Sequence, residues 1–279
     1  MKQSWQLNLA LLAAVVALGW WAYFKPAAET AALRLSALQA AAAGSIRIER
    51  GGQPVVALQK KNAMWWIVEP FSAPAEPLQV ERLLAVAQAE ASARLAADDL
   101  ARFDLDRPLA TLVIDGQSFG FGGVSTTTRE QYVLTQGAVY TVELRYGAAL
   151  PADAAPLIRR GLFSDGEVPV QFEFADFTLH NRDGKWVLAP QSANLGADDI
   201  ARWVDQWRQA SALRVAVYDQ RKPADEIRIS LKDGTQLALG ILQREPELIL
   251  LRPDLNLQYT FISATARRLL APPAAAARP

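Results

Sequence analysis

The chain has 279 residues, with 29 Lys and Arg against 29 Asp and Glu, no cysteine and a single histidine, His180. The balanced charge lacks the basic surplus with which a dedicated nucleic-acid binder neutralises phosphates. Without cysteine there are no disulfides, thiolate metal sites or Cys nucleophiles, and one histidine argues against multi-His metal centres and a His-based triad.

Residues 5–24, WQLNLALLAAVVALGWWAYF, carry no charge. As a helix, about 20 residues span roughly 30 Å, the hydrocarbon thickness of a bilayer. Trp5 at one end and Trp20, Trp21 and Tyr23 at the other are rings that favour the membrane interface. The expectation is a transmembrane anchor over 1–25, with the bulk of the chain outside the cytoplasm. A cleaved signal peptide is the alternative, with AETA at 28–31 as its small residues, but bulky aromatics stand where cleavage needs small ones. Residues 26–45 are Ala-rich and read as a spacer.

Self-similarity organises the remainder of the chain. Trp66-Ile67-Val68-Glu69-Pro70 recurs as Trp186-Val187-Leu188-Ala189-Pro190, about 120 residues later. At nearly the same offset Val80, Leu83, Leu84 and Ala87 match Ile200, Trp203, Val204 and Trp207, and Asp115–Gly122 matches Asp233–Gly240. Each unit opens with alternating apolar residues, as in Ile46-Arg47-Ile48 and Phe172-Glu173-Phe174, the period of half-buried strands. A Trp-bearing strand then ends at a proline. An amphipathic helix comes after it, with Pro77 suited to the first turn of one and Asp198 and Asp199 to the positive end of the other. Hairpins around Asp-Gly come next, joining strands at 111–114 and 118–121, and at 227–231 and 236–239. Strands at 131–134, 139–142, 248–251 and 259–262 complete the units.

The expected fold class is therefore α+β: an N-terminal transmembrane helix, then two tandem modules. Each module is a mostly antiparallel sheet with one amphipathic helix packed on it. The boundaries are 46–150 and 166–270, with a connector at 151–165 and a disordered tail at 271–279.

Trp66–Pro70, Phe103–Pro108 (FDLDRP), Ile114–Gly123, Tyr132–Val142 and Leu157–Phe163 (LIRRGLF) together resemble the bacterial domain-of-unknown-function family numbered 4340. The likeness covers roughly 46–190 and extends weakly to about 270; FDLDRP departs from the family's Tyr-Gly-Leu-x-x-Pro form. The resemblance implies a single-pass protein of the bacterial inner membrane with a periplasmic body. For some members it implies an auxiliary role beside ABC-type transporters. It supplies no catalytic residue.

The chemistry-bearing residues have plainer readings beside the functional ones. The glycines at 116, 120, 122 and 123 do not match a dinucleotide fingerprint and suit a hairpin and a bulge. Asp98, Asp99, Asp104 and Asp106 lack calcium-loop spacing. His180 reads as a lone surface histidine, residues 125–129 as a polar hairpin tip, and Arg159 and Arg160 as salt-bridge partners. No catalytic residue, cofactor or metal ligand is assigned. Aligned on Trp66 and Trp186, Trp65 corresponds to Lys185. Strand alternation then puts Trp66 in the core and Trp65 on the solvent side as the candidate partner interface, or as packing between the modules or under the 26–45 spacer.

The functional expectation is a membrane-anchored, extracytoplasmic binding or assembly protein with a protein partner in the inner membrane or periplasm, such as an auxiliary of an ABC-type transport system. A periplasmic assembly platform of a secretion or pilus-like system is one alternative. An envelope hydrolase using two carboxylates is the other.

Overall fold

The structure, a computed structural model, describes residues 33–190 and 195–273 together with Val15 and Trp20. The first part of the chain forms β1 (Ser45–Glu49), β2 (Val56–Lys61), β3 (Met64–Glu69), β4 (Ala73–Pro74), helix α1 (Pro77–Leu84), β5 (Ala93–Leu95), β6 (Ala110–Ile114), β7 (Gln117–Val124), β8 (Gln131–Thr135), β9 (Ala138–Val142) and helix α2 (Leu144–Ala148). The second forms β10 (Pro169–Glu173), β11 (Thr178–Arg182), β12 (Lys185–Ala189), helix α3 (Ala197–Arg208), β13 (Arg214–Val217), β14 (Asp225–Leu231), β15 (Gln236–Gln243), β16 (Leu248–Arg252), β17 (Leu257–Phe261) and helix α4 (Ser263–Leu270).

The strands build two sheets on one plan. The first runs β4-β3-β2-β1-β6-β7-β8-β9-β5, the second β12-β11-β10-β14-β15-β16-β17-β13. The orders coincide strand for strand, except that β4 has no counterpart among the described residues. Neighbouring strands are antiparallel in both sheets, from the β1–β6 pair of the first to the β10–β14 pair of the second. The self-similarity of the sequence is thus a self-similarity of topology.

Local chemistry explains the elements. Asp115 (φ 45°) and Gly116 (φ 83°) make the two-residue turn from β6 to β7, a geometry that needs positive φ at both centres. The Asp115 carboxylate also accepts hydrogen bonds from the N–H groups of Gly44 and Ser45, at 3.1 and 2.8 Å, which pins the start of β1 to this turn. Burial opposes ionisation of Asp115, but those hydrogen bonds outweigh it and hold the carboxyl below its usual range. Gly122 and Gly123 lie where the β7–β8 register slips between Phe121 and Val124. A Cβ on Gly122 would meet the carbonyl oxygen of Phe103 at 2.3 Å, so the bare backbone there lets residues 101–106 lie against the strand.

One face of α1 buries Val80, Leu83 and Leu84, and one face of α3 buries Ile200, Trp203, Val204 and Trp207. In the second sheet Phe172 packs on Trp203 and Trp207 with ring centroids at 5.2 and 5.5 Å. The two indole N–H groups donate to the carbonyls of Ala271 and Leu269, at 2.8 and 3.0 Å. Carbonyls at the end of α4 that lack intrahelical partners are thereby satisfied, and α4 is fastened to α3.

The expected fold class requires correction. Among the described residues no helix is long and apolar enough to cross a membrane. The longest described helix, α3, has 12 residues and carries Asp198, Asp199, Arg202, Asp205 and Arg208; at 1.5 Å per residue it is about 18 Å long, against roughly 30 Å of hydrocarbon. Val15 and Trp20 are helical and exposed. The rest of 5–24, including Trp5, Trp21 and Tyr23, lies outside the described residues. The architecture is two antiparallel sheets with few helices. Each sheet carries a second helix after its last strand, α2 or α4, which the expectation of one helix per module omits.

Candidate binding site at the junction of the two sheets

The connector lies between the sheets and bonds to both. On one side Arg159 N–H donates to Pro74 and Glu76 N–H to Leu157, at 2.9 and 2.7 Å. On the other, Leu162 N–H donates to Ala210 and Ala212 N–H to Arg160, at 3.2 and 2.9 Å. The Leu157 and Arg160 carbonyls and the Arg159 and Leu162 N–H groups thus stitch the β4 edge to the segment that leads into β13. Residues 33–35 repeat half of this arrangement on the first sheet, where Leu35 N–H donates to Ala89 and Ala91 N–H to Leu33. Leu35 and Leu162 are both 1% exposed, so the described part of 26–45 packs on the sheet.

Arg252 anchors the junction from the second sheet. Its side chain is 2% exposed and its guanidinium donors are taken. It binds Glu167 through two bonds of 2.9 and 2.8 Å, Asp254 through two of 3.2 and 2.6 Å, and the Leu162 carbonyl at 2.8 Å. Burial works against its charge, yet the bonds to Glu167 and Asp254 prevail and hold its pKa above the ordinary value. Burial pushes the hydroxyl of Tyr259 up to about 12. In the connector Arg159 pairs with Asp165, holding that carboxyl low.

The structure reverses the expected orientation of the two tryptophans on β3. Across β2 and β3, Ala57 faces Glu69 and Leu58 faces Ile67, leaving Val68 as an extra residue. Across β11 and β12, Thr178 faces Ala189 and Leu179 faces Leu188, with nothing extra. A one-residue bulge flips every side chain beyond it. Trp65, not Trp66, is therefore the structural equivalent of Trp186. Both pack against the core, while Trp66 turns to the opposite face.

On that face Trp66 and Phe71 meet the β16–β17 turn of the other sheet, with Asp254, Asn256 and Val217, around a cleft of about 330 Å³. Trp66 is half-buried, and its indole N–H has no hydrogen-bond partner among the described residues. An apolar ring with a free donor, beside a carboxylate and an amide, can seat an apolar side chain and orient a polar group next to it. The equivalent of Trp66 in the second sheet is Val187, which is exposed.

The other singled-out residues do not converge. No group of three or more His, Asp or Glu that could hold a metal ion occurs among the described residues. Asp99 accepts from the Arg102 N–H, Asp104 lies against Gly123, and Ser125 and Arg129 form an exposed turn. His180 sits on β11 with Nε2 buried and without a hydrogen-bond partner. Sequence alternation misses Trp66 because the bulge at Val68 carries no compositional mark.

A family model described as "Domain of unknown function (DUF4340)" matches residues 65–233, more than half of the chain, from the tryptophan pair across the junction into the second sheet. No curated protein and no solved structure matches the chain. By this match the chain belongs to the DUF4340 family.

Proposed function

We propose that this chain is a binding or assembly protein of the cell envelope that takes hold of a protein partner at the junction cleft. The observation that carries the reading is Trp66. It is a large aromatic turned away from its own core by a bulge, facing a cleft with Phe71, and it has no aromatic equivalent in the second repeat. Large aromatics in partly desolvated pockets dominate binding energy at interfaces. The surroundings are rigid, since Arg252 and the connector fix both walls, so little conformational entropy is lost on docking. An auxiliary role in an ABC-type transport system, as the family resemblance implies, is a role of this kind.

The test is photo-crosslinking in cells from a probe at position 66 of the full-length chain, with position 65 as the inward-facing control. A reproducible protein adduct from 66 and not from 65, found in an envelope fraction, supports the reading. Equal or absent adducts from both positions overturn it.

A further inference from the structure

In each module the helix on the sheet and the helix after the last strand meet along a groove. In the first module the groove measures about 520 Å³, with Arg82 on one wall, Arg145 and Tyr146 on the other, and Ala85, Ala148 and Ala149 between. In the second it measures about 250 Å³, between Arg202 of α3 and Arg267 and Arg268 of α4.

Positive charge recurs in these grooves although the residues supplying it do not. Arg82 and Arg202 hold the same place in the repeat, two positions after Val80 and Ile200. The second guanidinium comes from the start of α2 in one module and from the last turn of α4 in the other. The charge is also poorly neutralised. No carboxylate lines the first groove, and Arg82, Arg267 and Arg268 have no ion pair among the described residues. On the strands, by contrast, Arg47 and Arg228 each hold a carboxylate, as does Arg244 just after β15. Arg145 has Glu143 at 3.1 Å, both well exposed, and lies over the Tyr146 ring at 4.9 Å. Arg202 is engaged by Asp199 at 3.1 Å, which leaves the first groove the more open to an anion.

Guanidinium forks match the oxygens of a carboxylate or phosphate, and the alanine floor with the tyrosine ring matches an apolar body. We propose that the groove between α1 and α2 binds a small amphiphilic oxyanion, a carboxylate or phosphate group carried on an apolar chain. The groove in the second module is a weaker copy.

The experiment tracks the arginine Nε–H resonances of the full chain during titration with dodecyl phosphate below its micelle concentration. Dodecanoate, inorganic phosphate and dodecyl maltoside serve as separate arms. Saturable shifts at Arg82 and Arg145 are expected with dodecyl phosphate or dodecanoate. Arg82→Gln and Arg145→Gln should each weaken binding by about tenfold, the worth of one charge-assisted contact, with melting temperature unchanged. Arg47→Gln should bind as the parent does. An equal response to dodecyl maltoside, or binding untouched by the two groove substitutions, overturns the site. Inorganic phosphate binding as tightly as dodecyl phosphate overturns the amphiphilic part of the assignment.

Discussion

Arg252 holds Glu167 by two parallel hydrogen bonds, and the same guanidinium reaches past that carboxylate to the Leu162 carbonyl of the connector. One buried side chain therefore ties the last strands of the second sheet to the segment that joins the sheets. Replacing Arg252 by Met leaves the Leu162 carbonyl without this donor and Glu167 with only the Ser164 N–H. Loss of one member of a buried ion pair costs about 3 kcal/mol. Glu167→Gln keeps the shape and some of the bonds and should cost less. Urea denaturation of the two variants checks the order.

Asp115 should make stability depend on pH at the acid end. Its folded pKa is depressed, so the stabilisation is present above the unfolded carboxylate range and is lost as pH falls through the folded value. Asp115→Ala should cost about 1–2 kcal/mol near neutrality, from bonds to a charged group discounted for exposure together with the strain of alanine at φ 45°. In strong acid the difference from the parent should shrink to the part that alanine at φ 45° costs. Denaturation midpoints from pH 7 downward measure both.

Gly122→Ala should destabilise the first sheet by about 1–3 kcal/mol through overpacking. The added methyl would meet the backbone oxygen of Phe103, which cannot rotate away. Gly51→Ala is the control, since nothing lies within 4 Å of its Cβ position. Thermal melting separates the two.

Trp65 and Trp66 should respond to alanine in opposite ways. Trp65→Ala removes core packing and should lower stability by about 2 kcal/mol, less than a fully buried aromatic because Trp65 is half-buried. Trp66→Ala should leave the melting temperature nearly unchanged while abolishing partner capture. Equal destabilisation by both would mean that alternation on β3 is not interrupted at Val68.

The connector amides should exchange as slowly as those of the strands beside them. Arg159 and Leu162 donate to backbone carbonyls on either side of the junction, and Ala212 donates back to the connector. Hydrogen exchange resolved by residue should give them protection typical of sheet rather than of a loop.

The periodic and repeated features are legible in the sequence. The apolar faces of α1 and α3, the Asp-Gly turn at Asp115 and the glycine bulge on β7 all rest on local chemistry, which a sequence carries directly. The second helix of each module is not legible, because α2 has only five residues and α4 buries little beyond Ala266 and Leu269. The junction reads only as a connector, because its bonds join residues far apart in the chain, such as Arg252 and Leu162. The tryptophan pair is misassigned by one residue. An alignment that matches Trp66 with Trp186 honours the letters, while the register that matches Trp65 with Trp186 honours the pleat, and only strand pairing tells them apart.

Because the connector bonds to both sheets, the place where the chain is divided decides which sheet keeps its cover. A cut before 157 would leave β4 bare on the first fragment, and a cut after 162 would leave the approach to β13 bare on the second; naked edges of this kind seek new strands. Two halves expressed separately should either find each other and close the seam or clump. The repeated units are thus held as one object by the segment between them.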